Sequence, residues 1–262
     1  MRLHVLHDEP SDSASTLVLL HALPLDHRMW EDVVDAVRRS SQAGLRSYRV
    51  LAVDLPDRTD PPGEPSFDVV ADELAEVLTG SGPVVVAGCS MGGYLALALA
   101  QRHPALVAGL GLVDTRAEAD DDAARARRAA MVEALESTGT LDPAHAMVPG
   151  LLGTTTVARR PEVVEWVHGW IDGQTPATVA WCQRAIGARP DRTSTLRAFA
   201  GPVTVVVGDE DQLTGVDVAR QTAATAAAAR LVVVPEAGHL SPVEQPTLVA
   251  EALVELVRQA NR

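Results

Sequence analysis

Along the chain, short aliphatic runs alternate with longer stretches in which apolar positions recur every three to four residues. The short runs are "STLVLLHA" (15–22), "YRVLAVDLP" (48–56), "PVVVAGCS" (83–90), "VAGLGLVD" (107–114), "GPVTVVVGDED" (201–211) and "ARLVVVPEAGH" (229–239). Their apolar character is continuous, as in strands covered on both faces. The longer stretches include "MWEDVVDAVRRSSQ", where Trp30, Val33, Val34 and Val37 share one helical face, and "FDVVADELAEVLTG", where Val69, Val70, Leu74, Val77 and Leu78 do the same. "TLVAEALVELVRQA" repeats that period near the end of the chain. Strands of this kind alternating with amphipathic helices predict an α/β fold with a mostly parallel sheet and helices on both faces.

One segment departs from the alternation. Residues 116–195 contain no strand-like run and read as several helices, around 119–137, "PEVVEWVHGWIDG" and "PATVAWCQRAIGA". Ligands in open α/β sheets bind at the carboxyl ends of the strands, where such insertions emerge. The pattern therefore predicts a core of residues 1–115 and 196–262 and a helical cap of residues 116–195. Trp166, Trp170 and Trp181 fall in the cap, where they either line a pocket or pack between cap helices; Trp166 and Trp170 are spaced i, i+4. "DRTDPPGEPS" (57–66) reads as an exposed loop.

The chain's 262 residues suffice for one large domain with a buried core. The net charge of −13, from 22 basic and 35 acidic residues, opposes nucleic-acid binding. No run of about 18 apolar residues stands free of charge, which argues against a membrane span. The opening "MRLHVLHDEP" lacks the apolar stretch of a secretory signal. Two cysteines, Cys89 and Cys182, form neither a metal spacing nor a disulfide framework. A cytoplasmic protein with free thiols is expected.

Candidate chemistry centres on Gly88-Cys89-Ser90-Met91-Gly92. Val84, Val85 and Val86 before it read as strand, and the Leu/Ala-rich run after Gly93 reads as helix. This G-x-S-x-G on a strand–turn–helix is the setting of a nucleophile elbow, which exposes the serine hydroxyl above the sheet at a helix N-terminus. Serine is a weak nucleophile and needs a base. Of eight histidines, His4, His7, His21, His27, His103, His145 and His168 have unremarkable settings. His239 follows the last predicted strand, in the loop "EAGHLSPVEQP", from which it can reach Ser90. A carboxylate must then orient the imidazole. Asp209, Glu210 and Asp211 follow the penultimate strand, and Asp114 follows "LGLVD" as a rival. Oxyanion donors are expected from the Met91 N–H, next to the nucleophile, and from the turn His21-Ala22-Leu23-Pro24.

"LVLLHALPLDHRMW", "AGCSMGGYLALALA", "VVVGDEDQLT" and "EAGHLSPVEQP" together resemble four landmarks of the α/β-hydrolase superfamily. They most resemble its small capped bacterial members, grouped with 3-oxoadipate enol-lactonases, carboxylesterases and non-haem haloperoxidase-like hydrolases. The resemblance spans residues 18–246. It implies the α/β-hydrolase fold with an inserted cap, a Ser90–Asp211–His239 triad and oxyanion donors at Leu23 and Met91. Asp211 closes a G-x-x-D stretch of the kind the family uses for its acid. Two departures stand out. His21-Ala22 replaces the usual H-G, and "DLPDRTDPP" replaces a "DLPGHG"-like loop.

The expected function is hydrolysis of a small ester or lactone through an acyl-enzyme, with no metal or cofactor; the expected partner is the small-molecule substrate, with neither nucleic acid nor membrane. C–C bond, thioester or perhydrolysis chemistry on the same triad is one alternative, and a non-enzymatic ligand receptor of the same fold is another. Haloalkane dehalogenase and most epoxide hydrolase chemistry need a carboxylate at position 90 and are disfavoured.

Overall fold

The computed structural model describes residues 1–8, 15–41, 48–55 and 64–262. In chain order the described elements are β1 (Arg2–Asp8), β2 (Ser15–Leu20), a 3-10 turn (His27–Trp30), α1 (Glu31–Ser41), β3 (Tyr48–Asp54), α2 (Phe67–Val77), β4 (Val84–Cys89), α3 (Met91–Arg102) and β5 (Val107–Val113). Seven helices follow: α4 (Asp122–Thr138), α5 (Asp142–His145), α6 (Val148–Leu151), α7 (Thr154–Arg159), α8 (Pro161–Ile171), α9 (Pro176–Ala188) and α10 (Thr193–Ala198). The chain then forms β6 (Val203–Gly208), α11 (Val216–Thr225), β7 (Ala229–Val234), α12 (Ser241–Glu244) and α13 (Pro246–Ala260).

The strands form one sheet in the order β1-β3-β2-β4-β5-β6-β7. β1 is antiparallel to β3 and the remaining pairs are parallel. Helices α2 and α3 pack together over one face, and α1 and α13 over the other. This is the mostly parallel α/β sheet expected from the alternation, in the α/β-hydrolase arrangement that the resemblance implies. β4 and β6 are buried along their whole length, because both faces of these central strands are covered.

Among the elements the sequence pattern does not predict are β1 and α11. β1 has apolar Leu3, Val5 and Leu6, and its register with β3 shifts between Val5 and His7. That bulge breaks the two-residue alternation by which an edge strand is recognised. α11 buries only the small residues Ala219 and Thr222, so it carries no large apolar stripe. Most of "DRTDPPGEPS" lies outside the described residues; Glu64 is exposed, with Pro65 and Ser66 half-buried.

Parallel strands put their carboxyl ends on one edge. Cys89 pairs with Val113, Val113 with Val206, and Gly208 with Val234. Each candidate group therefore leaves the sheet on the same side. Helices α4–α10 rise between β5 and β6, and the two feet of this insertion are joined. The Arg192 N–H donates to Ala117 O at 2.8 Å. Arg189 donates to Glu118 O at 3.0 Å and to Asp120 Oδ1 at 2.8 Å, with its guanidinium 3.9 Å from the centroid of the Tyr94 ring. α10 begins before position 195, ends at Ala198 and packs on α3 and α11. No helix among the described residues is long and apolar enough to cross a membrane.

Candidate active site

Ser90 sits between the last residue of β4 and the first of α3, at φ 50° and ψ −110°. Few side chains tolerate such a backbone, and it persists where surrounding packing enforces it. The enforcement is visible in the glycines. A Cβ on Gly88 would lie 2.1 Å from the Gly92 carbonyl carbon, and one on Gly92 would lie 2.2 Å from Leu20 O. Backbone cannot yield at those distances, so strand, turn and helix close only with glycine at both places. Gly88→Ala is expected to cost about 3 kcal/mol or more and to leave little folded protein, as read by circular dichroism and thermal unfolding. Normal expression with an unchanged melting curve would contradict the elbow geometry.

His239 reaches the serine from the loop after β7. Its Nε2 is 2.7 Å from Ser90 Oγ, and its Nδ1 is 2.9 Å from Asp211 Oδ2. Asp211 is anchored independently. Oδ1 accepts from the N–H groups of Leu213 (2.7 Å) and Thr214 (3.0 Å), and Oδ2 accepts from the Thr214 hydroxyl at 2.6 Å. An anionic Asp211 fixes the neutral imidazole with its proton on Nδ1, leaving the Nε2 lone pair for the serine hydroxyl. Burial favours the neutral carboxyl, but the His239 charge and the bonds from His239 and Thr214 outweigh it and pull Asp211 down to about 2. Burial likewise opposes the imidazolium; the charge and hydrogen bond of Asp211, aided by Asp114, nonetheless raise His239 above its usual value.

The rival carboxylates go elsewhere. Asp209 is exposed. Glu210 accepts from the Thr155 N–H at 2.8 Å and from the Thr154 hydroxyl at 3.1 Å, which ties it to α7. Asp114 is fully buried, with φ 47°. It accepts from Gly208 N (3.0 Å), Ser241 N (3.0 Å) and the Ser241 hydroxyl (2.6 Å). It therefore joins the ends of β5 and β6 to the start of α12. Burial, with the nearby Asp211 charge, lifts it to about 7. Cys89 is buried beneath the elbow, and burial together with Asp114 holds its thiol well above the ordinary range.

Met91 opens α3, so its N–H faces the space above the helix N-terminus. Leu23 lines the same cavity as Ser90 and His239. The Ala22 substitution carries no backbone strain: among the described non-glycine residues, positive φ occurs at Ser90, Asp114 and Glu236 alone. Neighbouring His21 is buried, and burial lowers its pKa. Its Nε2 accepts the Leu55 N–H at 3.2 Å and its Nδ1 lies 3.0 Å from Ala22 O, which defines a neutral ring that braces this turn.

Glu244 is a residue the sequence reading passed over. Buried, and raised by that burial, its carboxylate accepts from Gly238 N and Gly153 N, each at 2.8 Å, and from Leu240 N at 3.3 Å. The His239 N–H donates to Leu151 O at 3.0 Å. The histidine loop is thus held to α6 and α7 of the insertion. A glutamate in a proline-containing loop reads as surface from sequence, and only its bond partners identify it.

The cavity over Ser90 has a volume of about 360 Å³ and is walled by both core and insertion. Met131, Met147, Leu151 and Ile186 supply apolar surface, and Arg116, Arg127 and Asp121 supply charge. A space of this size fits a small molecule. None of Trp166, Trp170 and Trp181 lines it. Trp166 and Trp170 border a separate hollow with Met29 and Val243, while Trp181 is buried in α9.

The fold is that of an α/β hydrolase, and comparison with known proteins gives the family. Residues 17–252 match the model described as the alpha/beta hydrolase family, and the chain belongs to that family. It is 30% identical over 259 residues to the 2-succinyl-6-hydroxy-2,4-cyclohexadiene-1-carboxylate synthase of Enterobacter sp. (strain 638), covering 92% of this chain and 91% of the relative. Among solved structures, a thermophilic esterase from Thermogutta terrifontis is 32% identical with a TM-score of 0.86, over 99% of this chain and 94% of that one. The enol-lactonase from Burkholderia xenovorans LB400 has a TM-score of 0.85 at 22% identity, over 98% of this chain and 96% of that one, and shares the fold.

Proposed function

We propose that the protein is a serine hydrolase that cleaves a small carboxylic ester or lactone through an acyl-enzyme. The observation that carries this reading is the continuous relay from Asp211 through His239 to Ser90, with contacts of 2.9 and 2.7 Å. His239 Nε2 takes the hydroxyl proton as Ser90 Oγ bonds to the substrate carbonyl carbon. The carbonyl oxygen becomes an oxyanion that accepts from the N–H groups of Met91 and Leu23; each such donor contributes about 3 kcal/mol in enzymes of this mechanism. The tetrahedral species collapses, and the leaving alkoxide takes the proton from His239. In a lactone that alcohol stays tethered to the acyl group. Water, deprotonated by His239, then attacks the acyl carbon, and the acid leaves as Ser90 regains its proton. Names among the relatives support ester bonds as substrate: an esterase matches 99% of this chain at 32% identity. Hydrolysis of short-chain p-nitrophenyl esters tests the reading, and saturable turnover that disappears with Ser90→Ala is the expected result.

A second reading, non-ester chemistry on the same triad, draws on the relative named as a synthase, which matches 92% of this chain. Turnover of esters no better than of thioesters or β-dicarbonyl compounds would favour it.

Residues 1–115 and 196–262 act as the hydrolase core in this reading, and residues 116–195 as a cap that selects substrate. Ile186→Ala and Met131→Ala are expected to change kcat/KM for acetate esters by about two- to three-fold and for bulky acyl esters by ten-fold or more, since pocket shape acts through differential binding. Equal losses for all substrates would assign the cap a purely structural role.

The pH dependence has a definite sign. A protonated His239 cannot accept the serine proton, and the Asp211 charge raises its pKa above the ordinary imidazole value of about 6.5. The kcat/KM profile should therefore rise with pH along an acidic limb centred above that value. A limb centred below it, or a flat profile from mildly acidic to mildly basic pH, would contradict the base assignment.

A further inference from the structure

A cluster of ligand-type side chains lies away from Ser90, where β1 pairs with β3 near the sheet edge; β2 separates β3 from β4. The antiparallel register sets Arg2 opposite Asp54 and His4 opposite Ala52. His4 and Asp54 are therefore diagonal neighbours on one face of the sheet. The 3-10 turn brings His27 to the same place. His4 Nε2 lies 2.8 Å and His27 Nδ1 2.9 Å from one oxygen, Asp54 Oδ2. The imidazole rings stack with centroids 3.6 Å apart and planes 11° from parallel. Asp54 Oδ1 accepts the His27 backbone N–H at 2.7 Å, which holds the carboxylate in place. The donor atoms of all three side chains lie within 4.8 Å of one another and are partly buried. A cavity of about 610 Å³, which shares the lining residue Leu23 with the Ser90 cavity, reaches His27 and Asp54.

We infer that His4, His27 and Asp54 form a binding site for one divalent transition-metal ion, zinc first among them, with water completing the shell. Two imidazole nitrogens and one carboxylate oxygen are a donor set that zinc takes at three-residue sites. Nitrogen donors select against magnesium and calcium, which prefer all-oxygen shells. With bonds of roughly 2.0–2.1 Å, donors around a tetrahedral zinc ion lie about 3.3 Å apart. The present contacts of 2.8 and 2.9 Å need to open by about half an ångström, and the two rings, now stacked 11° from parallel, must turn apart so that both lone pairs meet at the ion. Each ring then offers the ion a lone pair where it now directs an N–H at Asp54, and its proton moves to the other ring nitrogen. The bond from the His27 N–H to Asp54 is the outer contact that orients a ligating carboxylate. Asp26 Oδ1, 4.0 Å from His27 Nδ1, adds negative charge, partly balanced by Arg28 at 2.7 Å from Asp26 Oδ2. The ion would join β1, the 3-10 turn and β3, three segments distant in sequence. It takes no part in the ester chemistry; its place is that of a clasp, because an ion bound only by the folded chain stabilises it.

The test is a titration of chelator-treated protein, carrying no polyhistidine tag, with cobalt(II) followed by visible absorption. Zinc(II) is added in competition, and thermal unfolding is read alongside. One equivalent of cobalt(II) should give a d–d band that zinc displaces, and Tm should rise with ion concentration. His4→Gln and His27→Gln should each lower zinc affinity about ten-fold or more. A second histidine pair, His145 Nδ1 2.8 Å from His168 Nδ1, is the control, and His145→Gln should leave affinity unchanged. No saturable binding below millimolar cobalt(II), affinity unchanged in either His4→Gln or His27→Gln, or affinity lost in His145→Gln overturns the site. Ester turnover plays no part in this readout, so the hydrolase reading stands or falls separately.

Discussion

Ser90→Ala is expected to lower kcat for ester hydrolysis by about 10⁴- to 10⁶-fold, the range over which serine enzymes lose their nucleophile. The folded state should be untouched. The Ser90 hydroxyl bonds to His239 Nε2 and makes no cap bond to α3. The strained backbone at φ 50° costs the alanine variant about what it costs the wild type. Thermal unfolding within a few degrees of wild type, together with collapsed turnover, is thus the expected pair of results. Turnover close to wild type would remove Ser90 from the chemistry. A large fall in Tm would mean that the loss of activity reports folding instead.

The second large effect separates the two buried carboxylates. Asp211→Asn should lower kcat by about 10⁴-fold through the wrong histidine tautomer. The amide can keep the acceptor that holds Leu213 N and Thr214 N, and so presents its NH₂ where Oδ2 now accepts from His239. Nδ1 must then become the acceptor, the proton moves to Nε2, and no lone pair remains for Ser90. Asp114→Asn should leave most turnover, because Asp114 bonds to Gly208 and Ser241 rather than to His239. It should still shift the pH profile. Asp114, ionised only as pH rises through about 7, adds to the Asp211 charge that raises His239, so its removal lowers that pKa slightly and moves the upper part of the acidic limb to lower pH. A limb that stays put or moves upward would deny the electrostatic link. A larger kcat loss from Asp114→Asn than from Asp211→Asn would reverse the assignment.

How much of this was legible in the sequence differs from element to element, for physical reasons. β4 and α3 were plain because valine-rich strand and Leu/Ala-rich helix meet at a glycine-flanked serine. Ser90 and His239 were legible from parallel strands ending on one edge, the resemblance singled out Asp211 from Asp209, Glu210 and Asp114, and the structure brings the three side chains into contact. β1 was hidden by its bulge and by sparse burial, and α11 by its alanine and threonine content. The bracing roles of Asp114 and Glu244 had no signature in sequence, because each depends on backbone N–H groups from loops distant along the chain. His4 and His27 read as isolated histidines, since only the pairing of β1 with β3 brings His4, and the 3-10 turn His27, to Asp54. Trp166, Trp170 and Trp181 are conspicuous by size, yet the insertion residues at the Ser90 cavity include the less conspicuous Met131, Met147 and Ile186.

Transfer of the acyl group to Ser90 Oγ, the step on which the proposed mechanism turns, is tested most directly by fluorophosphonate labelling with peptide mass spectrometry. The reagent phosphonylates a serine only where a neighbouring base and oxyanion donors activate it. One adduct on Ser90 is predicted, with loss of ester turnover in proportion to labelling and strongly slowed labelling in His239→Ala. Cys89, buried and with its thiol held high, should stay unmodified. An active enzyme that turns over esters while Ser90 remains unlabelled, or an adduct on another residue that tracks the loss of activity, would contradict the account.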